Sequence, residues 1–297
     1  MPQVIMMGLI KRLRDRPDFR ANPLGALGRR LWWRIRWRTS RRPWILPWHD
    51  GLRLTLNRGG PAALIYYQGF SEPDTAALVR AYLKPGMVFV DVGAHIGEYA
   101  LLAARRVGRT GEVHAFEPNP LVFEVLAENV RLNGLNQIVI RPWAVSSAQG
   151  EVDFDLDPEA ALSALASRAA PNDGARHVQS VPAVTLDGYL AGRRADLIKI
   201  DVEGAELLVV QGGRSLLARP AAEAPVLIFE CALHNYARFG YSPLDLFRLL
   251  SHHGYDVWRF DRSRGLVPQT PDFPADVTLN LVAAKDPAHL ALLAATR

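Results

Sequence analysis

Met87-Val88-Phe89-Val90-Asp91-Val92-Gly93-Ala94-His95-Ile96-Gly97 is the stretch whose reading decides the fold of this chain. An apolar, β-branched run ends in an acid, a tight turn with two glycines follows, and Tyr99, Leu101, Leu102 and Ala103 then carry a helical pattern. A buried strand, a glycine turn and a helix in that order mark where an α/β protein brings its backbone close to a ligand. A dinucleotide site needs G-x-G-x-x-G, because the second glycine lets a pyrophosphate reach the helix N-terminus. Here the second glycine position is His95 and the third glycine is absent. An acid at the strand end with a G-x-x-x-G turn suits a nucleoside without phosphates.

Outward from this turn, strand and helix patterns alternate, which implies a parallel sheet wound by right-handed crossovers. Strands are expected at 87–91, 112–116, 137–141, 196–201, 226–231, 255–260 and 277–284, and helices at 97–106, 120–132, 204–217 and 243–253. The stretch 148–185 is rich in Ala, Ser, Asp and Pro. It reads as a substrate-loop insertion with a hairpin near 151–156 and a flexible piece at 166–179. Residues 50–84 carry a strand at 51–57 and a helix at 75–83, leading into a catalytic domain over 85–290.

Residues 1–49 form a separate arm. Positions 1–42 hold twelve Lys/Arg and two Asp, whereas the rest of the chain has five more acids than Lys/Arg. A uniformly basic nucleic-acid binder does not look like this, so no nucleic acid is expected as a partner. The arm's centre, Leu31-Trp32-Trp33-Arg34-Ile35-Arg36-Trp37-Arg38, interleaves tryptophan and arginine. As a helix it places Leu24, Leu27, Leu31 and Ile35 on one stripe, with Trp33 and Trp37 nearly opposite, so it is not a clean two-faced helix. Tryptophan favours the membrane interface and arginine favours anionic headgroups, so residues 24–42 are candidates for peripheral contact with an anionic membrane.

At 297 residues, 49% hydrophobic and 22% charged, the chain can bury a full α/β core. No run of about 18 uncharged apolar residues is present, and Met1 to Ile10 lacks a cleavable secretory pattern. The single cysteine, Cys231, excludes an internal disulfide and fits a reducing compartment. A cytoplasmic location is therefore expected, with the arm allowing peripheral placement at the cytoplasmic face of the membrane.

Four groups of residues carry chemistry. Asp91, Gly93 and Gly97 would hold the amino-acid portion of S-adenosylmethionine, the phosphate-free nucleoside this turn points to. Glu117 ends the next apolar strand, 26 residues on, where an acid accepts hydrogen bonds from ribose hydroxyls, and Pro118 then turns the chain away. Lys199-Ile200-Asp201-Val202-Glu203-Gly204-Ala205-Glu206 delivers three acids to the ligand edge, where a general base or metal ligand belongs. Glu230 leaves a fourth strand at that edge, and His234 follows it. Asp201 and Glu203, partnered by His234 and Glu230, form the candidate base group. No metal ligand set is assigned, although the acids could instead hold Mg²⁺.

Residues 72–284 resemble the FkbM family of S-adenosylmethionine-dependent methyltransferases. The resemblance is carried by Lys84-Pro85-Gly86, by Val90-Asp91-Val92-Gly93-Ala94-His95-Ile96-Gly97-Glu98-Tyr99, by Phe116-Glu117-Pro118-Asn119-Pro120, by Thr185-Leu186-Asp187, by the Ile198 to Glu206 run and by Phe229-Glu230. It implies a class I methyltransferase Rossmann-like sheet of seven strands, the last antiparallel, with helices on both faces and the basic extension outside it. It also implies O-methylation of a sugar, glycan or polyketide-type hydroxyl on a small-molecule acceptor; the arm's Trp32, Trp33, Trp37 and arginines, if they touch an anionic membrane, point instead to a lipid-linked glycan acceptor. Cofactor contacts are implied at Asp91, Gly93, His95, Gly97, Tyr99, Glu117, Pro118, Ala144 and Asp201. The family's common asparagine in the first motif is His95 here. A protein or peptide methyltransferase, a nicotinamide-dependent oxidoreductase and a membrane-recruited scaffold are the competing readings.

Overall fold

The computed structural model describes residues 16–40, 42–59, 61–156, 164–165, 177–261, 264–274 and 277–294. The chain divides into two compact units, Met1–Pro73 and Asp74–Arg297. The boundary falls beyond residue 49, where the arm is expected to end. The reason is local: the expected strand at 51–57 pairs with a strand inside the arm.

In the first unit, helices Pro17–Ala21 and Pro23–Thr39 are joined at Asn22, whose side chain accepts the Gly25 amide and caps the second helix. Strands β1 (Trp44–Pro47) and β2 (Arg53–Leu56) form an antiparallel hairpin, and helix Ala62–Gln68 follows. The core of the unit is aromatic. Trp33 stacks on Tyr66 with ring centres 5.6 Å apart and meets Trp37 edge-on at 5.4 Å, while Trp44 lies against Tyr66. Arg30 pairs with the buried Asp18 and lies over Tyr67. No described helix is long and apolar enough to cross a membrane.

The second unit opens with helix Pro73–Tyr82 and is built on a central sheet. Its strands are β3 (Val88–Val92), β4 (Glu112–Phe116), β5 (Ile138–Arg141), β10 (Leu197–Ile200), β11 (Val226–Ala232), β12 (Asp256–Asp261), β13 (Gly265–Pro268) and β14 (Thr278–Ala284). The spatial order is β13-β12-β14-β11-β10-β3-β4-β5. Strands β5, β4, β3, β10 and β11 run parallel, and β14 enters antiparallel between β11 and β12. This is the class I methyltransferase arrangement, α/β with helices on both faces. The sheet has eight strands rather than the expected seven, because the chain turns back after β12 and adds β13 as an antiparallel edge. Val90, Val92, Ile198, Ile200, Leu227 and Phe229 pack with helices Leu186–Leu190, Glu206–Gln211 and Pro243–His252 into one buried cluster.

The insertion is a small second sheet of β6 (Ala144–Val145), β7 (Gly150–Leu156), β8 (Ala164–Leu165) and β9 (His177–Val184), in the order β6-β9-β7-β8. The expected hairpin near 151–156 is one strand of a wider pairing whose main partner is β9. The expected flexible piece at 166–179 lies outside the described residues up to 176.

The helix expected over 204–217 is broken into Glu206–Gln211 and Arg214–Leu217. The break sits where the chain presses on β6: a side chain at Gly212 would place its first carbon 2.1 Å from the Ser146 carbonyl oxygen. At Gly213 the nearest atom is the end of the Leu186 side chain, 3.2 Å away, and that can move. Gly212→Ala should therefore destabilise the chain by about 2 kcal/mol or more in urea unfolding, and Gly213→Ala by clearly less. Equal effects would refute the contact as the cause of the break.

Candidate active site

The turn after β3 is built by backbone. The Gly93 and Ala94 amides both donate to the Phe116 carbonyl, at 3.0 and 2.8 Å, tying the turn to the end of β4. Gly93 has φ +80°, and a side chain there would put its first carbon 1.9 Å from the Asp201 carbonyl oxygen. Only glycine fits between the two loops. Glu117 completes this half: Oε2 accepts the His95 amide and Oε1 the Asn119 amide, each at 2.9 Å. Asn119 in turn caps helix Pro120–Asn133 through the Leu121 and Val122 amides, with Pro120 at its first position.

The loop after β10 supplies the other half. The Asp201 amide donates to Val92, so the loop starts hydrogen-bonded to β3. Glu203 has φ +52°, a left-handed conformation unusual for a side chain of this kind. Buried Glu206 holds it there, one carboxylate oxygen accepting the Val202 and Gly204 amides at 3.2 Å. Tyr241 donates to the Gly204 carbonyl, and Asn235 Nδ2 donates to Glu203 Oε2 at 2.9 Å. Tyr236 donates to the Glu230 carbonyl at 3.1 Å, fixing the end of β11.

The electrostatics are dominated by crowded acids. In the parallel register Asp91 sits beside Lys199. The buried Lys199 ammonium pairs with Asp201 Oδ2 at 2.8 Å and lies 4.6 Å from the centre of the Tyr99 ring. Asp91 is fully buried, and among the described residues neither of its carboxylate oxygens is in full hydrogen-bond geometry with a donor, although the Ala100 backbone amide also favours its charged form. Burial pushes its pKa up to about 6, against the pull of Lys199. Burial likewise pushes Glu117 to about 7, against the two amides it accepts. Glu203 is pushed to about 7 by burial and then by the Asp201 charge. Glu206 is pushed to about 8 by burial. Carboxylate oxygens of Asp201, Glu203 and Glu230 lie within 4.8 Å of one another, a spacing that could also hold a cation.

The structure thus gathers Asp91, Gly93, His95, Gly97, Tyr99, Glu117 and Pro118 around the first turn, and Asp201, Glu203 and Glu230 around the second. Ala144 is buried on β6 and packs in a cluster with Ala205, which brings the insertion against the acidic loop. His234 stands exposed on the short helix Leu233–Tyr236, and no hydrogen bond joins it to the three carboxylates. It is not a direct partner of the base group in this geometry. Lys199, Glu206 and Asn235 carry roles that the residue pattern alone does not assign. A lysine inside the apolar run Leu197 to Ile200 was the available signal, since a buried ammonium needs a paired acid.

The raised Glu206 has a consequence for stability. The folded chain keeps a proton there that the unfolded chain releases near its ordinary value of 4.5. The stabilisation is complete below that value and is lost as pH rises through about 8. Glu206→Gln keeps an oxygen for the two amides and removes the titration. Its unfolding free energy should fall less steeply than the wild type's between about pH 5 and pH 8 in urea titrations, and identical slopes would contradict this assignment.

A site made of a glycine turn, a strand-end glutamate and a carboxylate-lined loop matches known sequences. The family profile described as "Methyltransferase FkbM domain" matches residues 91–257. The chain is 28% identical over 141 residues to the hexuronic acid methyltransferase AglP of Haloferax volcanii, covering 48% of this chain and 56% of that protein. It is 29% identical over 162 residues to the methyltransferase sdnD of Sordaria araneosa, covering 44% of this chain and 62% of that protein. The matches therefore span less than two thirds of either relative. Among solved structures, TYW2 of P. horikoshii in complex with MeSAdo aligns at 16% identity and a TM-score of 0.40, covering 91% of this chain and 86% of that one. The chain belongs to the FkbM methyltransferase family, whose cofactor is S-adenosylmethionine.

Proposed function

We propose that this chain transfers a methyl group from S-adenosylmethionine to a sugar hydroxyl on a small-molecule or lipid-linked glycan. The observation that carries the reading is the convergence of Asp201, Glu203 and Glu230 beside the Gly93 turn. The residues fit the cofactor chemically. Asp91 offers buried carboxylate oxygens that no described side chain bonds, and the buried Lys199 ammonium is already paired with Asp201, which leaves a negative site for the positive ammonium and sulfonium groups. In this reading Gly93, His95 and Gly97 present backbone to the amino-acid portion. Glu117, with one amide on each oxygen, keeps a second lone pair on each for the ribose hydroxyls. Pro118, Tyr99 and Ala144 supply walls.

When bound, the cofactor supplies an activated methyl group whose departure leaves a neutral thioether. The chain's work is to align the acceptor and remove its proton, because an alcohol is about as weak an acid as water, whose pKa is about 15.7. Glu203 suits the role of base. Its pKa of about 7 lies near neutrality, where a base is both deprotonated and effective, and Asn235 fixes its carboxylate. Asp201 and Glu230 surround it with negative charge that favours the proton it receives. Asp201 is itself engaged by Lys199, so it serves the cofactor side. Exposed His234 is available to the acceptor. A sugar acceptor is supported by the similarity to AglP, a hexuronic acid methyltransferase.

The experiment follows labelled methyl transfer from S-adenosylmethionine to hexuronic acid and other glycan acceptors. Glu203→Gln should lower kcat by about 10²- to 10⁴-fold while cofactor affinity stays within about twofold. Unchanged turnover would remove Glu203 from the role. Proton transfer by Glu203 needs no divalent ion, so dialysis against EDTA should leave the rate unchanged. A rate lost to EDTA and restored by Mg²⁺ would assign the three carboxylates to a cation instead.

A further inference from the structure

Helix Pro23–Thr39 has two apolar sides, and only one of them is used. At a turn of 100° per residue, Ala26, Arg30, Trp33 and Trp37 point one way, and Leu24, Leu27, Leu31 and Ile35 the other. The first group builds the aromatic core of the N-terminal unit: Trp33 and Trp37 are each 7% exposed. The second group faces solvent, with Leu24 82%, Leu31 61%, Leu27 55% and Ile35 42% exposed, and Trp32 at the margin 52% exposed. Five large apolar side chains on one helix face exceed the scattered exposure normal for a soluble surface.

Charge selects the occupant of this face. Arg34 is exposed at the edge of the stripe, Arg38 is exposed on the stripe itself at its C-terminal end, and Arg42 is exposed just beyond the helix. Arg30 and Arg36 are engaged within the unit, by Asp18 and by the Ser40 and Arg42 carbonyls respectively. No acid occurs between Phe19 and His49. A nucleic acid would satisfy the arginines and leave the leucines in water. An apolar protein groove would satisfy the leucines and give the arginines nothing. A lipid surface with anionic headgroups satisfies both, with apolar side chains below the headgroups, arginines at their level and an indole at the boundary.

We propose that the exposed face of helix Pro23–Thr39 seats the N-terminal unit on an anionic membrane surface. The helix lies parallel to the surface along its length of about 25 Å, held from behind by the Trp33 and Trp37 core. This contact does not depend on the methyl-transfer reading, and each survives the other's failure.

The test is co-sedimentation of the full chain with sucrose-loaded vesicles. One set is pure phosphatidylcholine and the other contains about 30 mol% phosphatidylglycerol. The wild type should sediment with the anionic set, far less with the neutral one, and lose binding as salt is raised. Leu27→Glu combined with Leu31→Glu changes only exposed positions, and should weaken anionic-vesicle partitioning by at least about tenfold with an unaltered thermal unfolding midpoint. Arg34→Glu combined with Arg38→Glu should do likewise, which keeps the test decisive if one variant folds poorly. Absence of wild-type sedimentation with the anionic vesicles, or binding unaffected in both variants, would overturn the proposal. So would a wild-type dimer in analytical ultracentrifugation that the leucine variant abolishes without any vesicle binding, because the face would then belong to a second copy.

Discussion

The candidate active-site edge depends on one close approach, that of the turn after β3 to the loop after β10. The Gly93 backbone lies so near the Asp201 carbonyl that no side chain fits between them, and the Asp201 amide is bonded back to Val92. Two loops far apart in sequence are thereby locked into a single surface by their own backbone. Glu117 adds the second lock, with one amide from the glycine turn and one from the start of the next helix. A site held in place by its own backbone pays little ordering entropy when a ligand arrives.

The same edge concentrates like charge. Asp91, Glu117, Asp201, Glu203, Glu206 and Glu230 crowd this edge, the buried Lys199 ammonium pairs with Asp201, and burial raises four of these acids toward or above neutrality. Packing alone does not call for such an arrangement, since taking carboxylates out of water opposes folding unless hydrogen bonds and counter-charges compensate in full. It makes sense as a site that is completed by a positively charged group. The left-handed backbone at Glu203, maintained by Glu206 and Tyr241, belongs to the same pattern of local strain held by surrounding structure.

The core of the fold was legible because buried parallel strands are continuous apolar runs, and each of the seven expected strands lies within a residue or two of its expected position. The features that escaped depend on partners distant in sequence. Strand β13 is only four residues long, is bounded by Gly265 and Pro268, and forms by pairing with β12. The partner of 151–156 lies across the insertion at β9. The break at Gly212 lies against the Ser146 carbonyl, 66 positions earlier. In the site, strand-end acids were readable from the ends of the apolar runs. The use of Lys199 and Glu206 was not, because it rests on which strand lies beside β10 and on how the loop folds back. Trp33 and Trp37, opposite the leucine stripe, make a one-sided helix illegible in sequence, and the aromatic core of the first unit resolves the conflict.

The most direct measurement is isothermal titration of S-adenosylmethionine into the purified chain near pH 6.5, repeated in two buffers of different ionisation enthalpy. Asp91 and Glu117 titrate at about 6 and 7, so a cationic ligand seated among these acids should displace protons as it binds. The account predicts one-to-one binding with a heat that differs between buffers, and affinity weakened at least about tenfold by Asp91→Asn. A folded wild type that binds no S-adenosylmethionine, or binds it with affinity unchanged by Asp91→Asn and a heat independent of buffer, would contradict it.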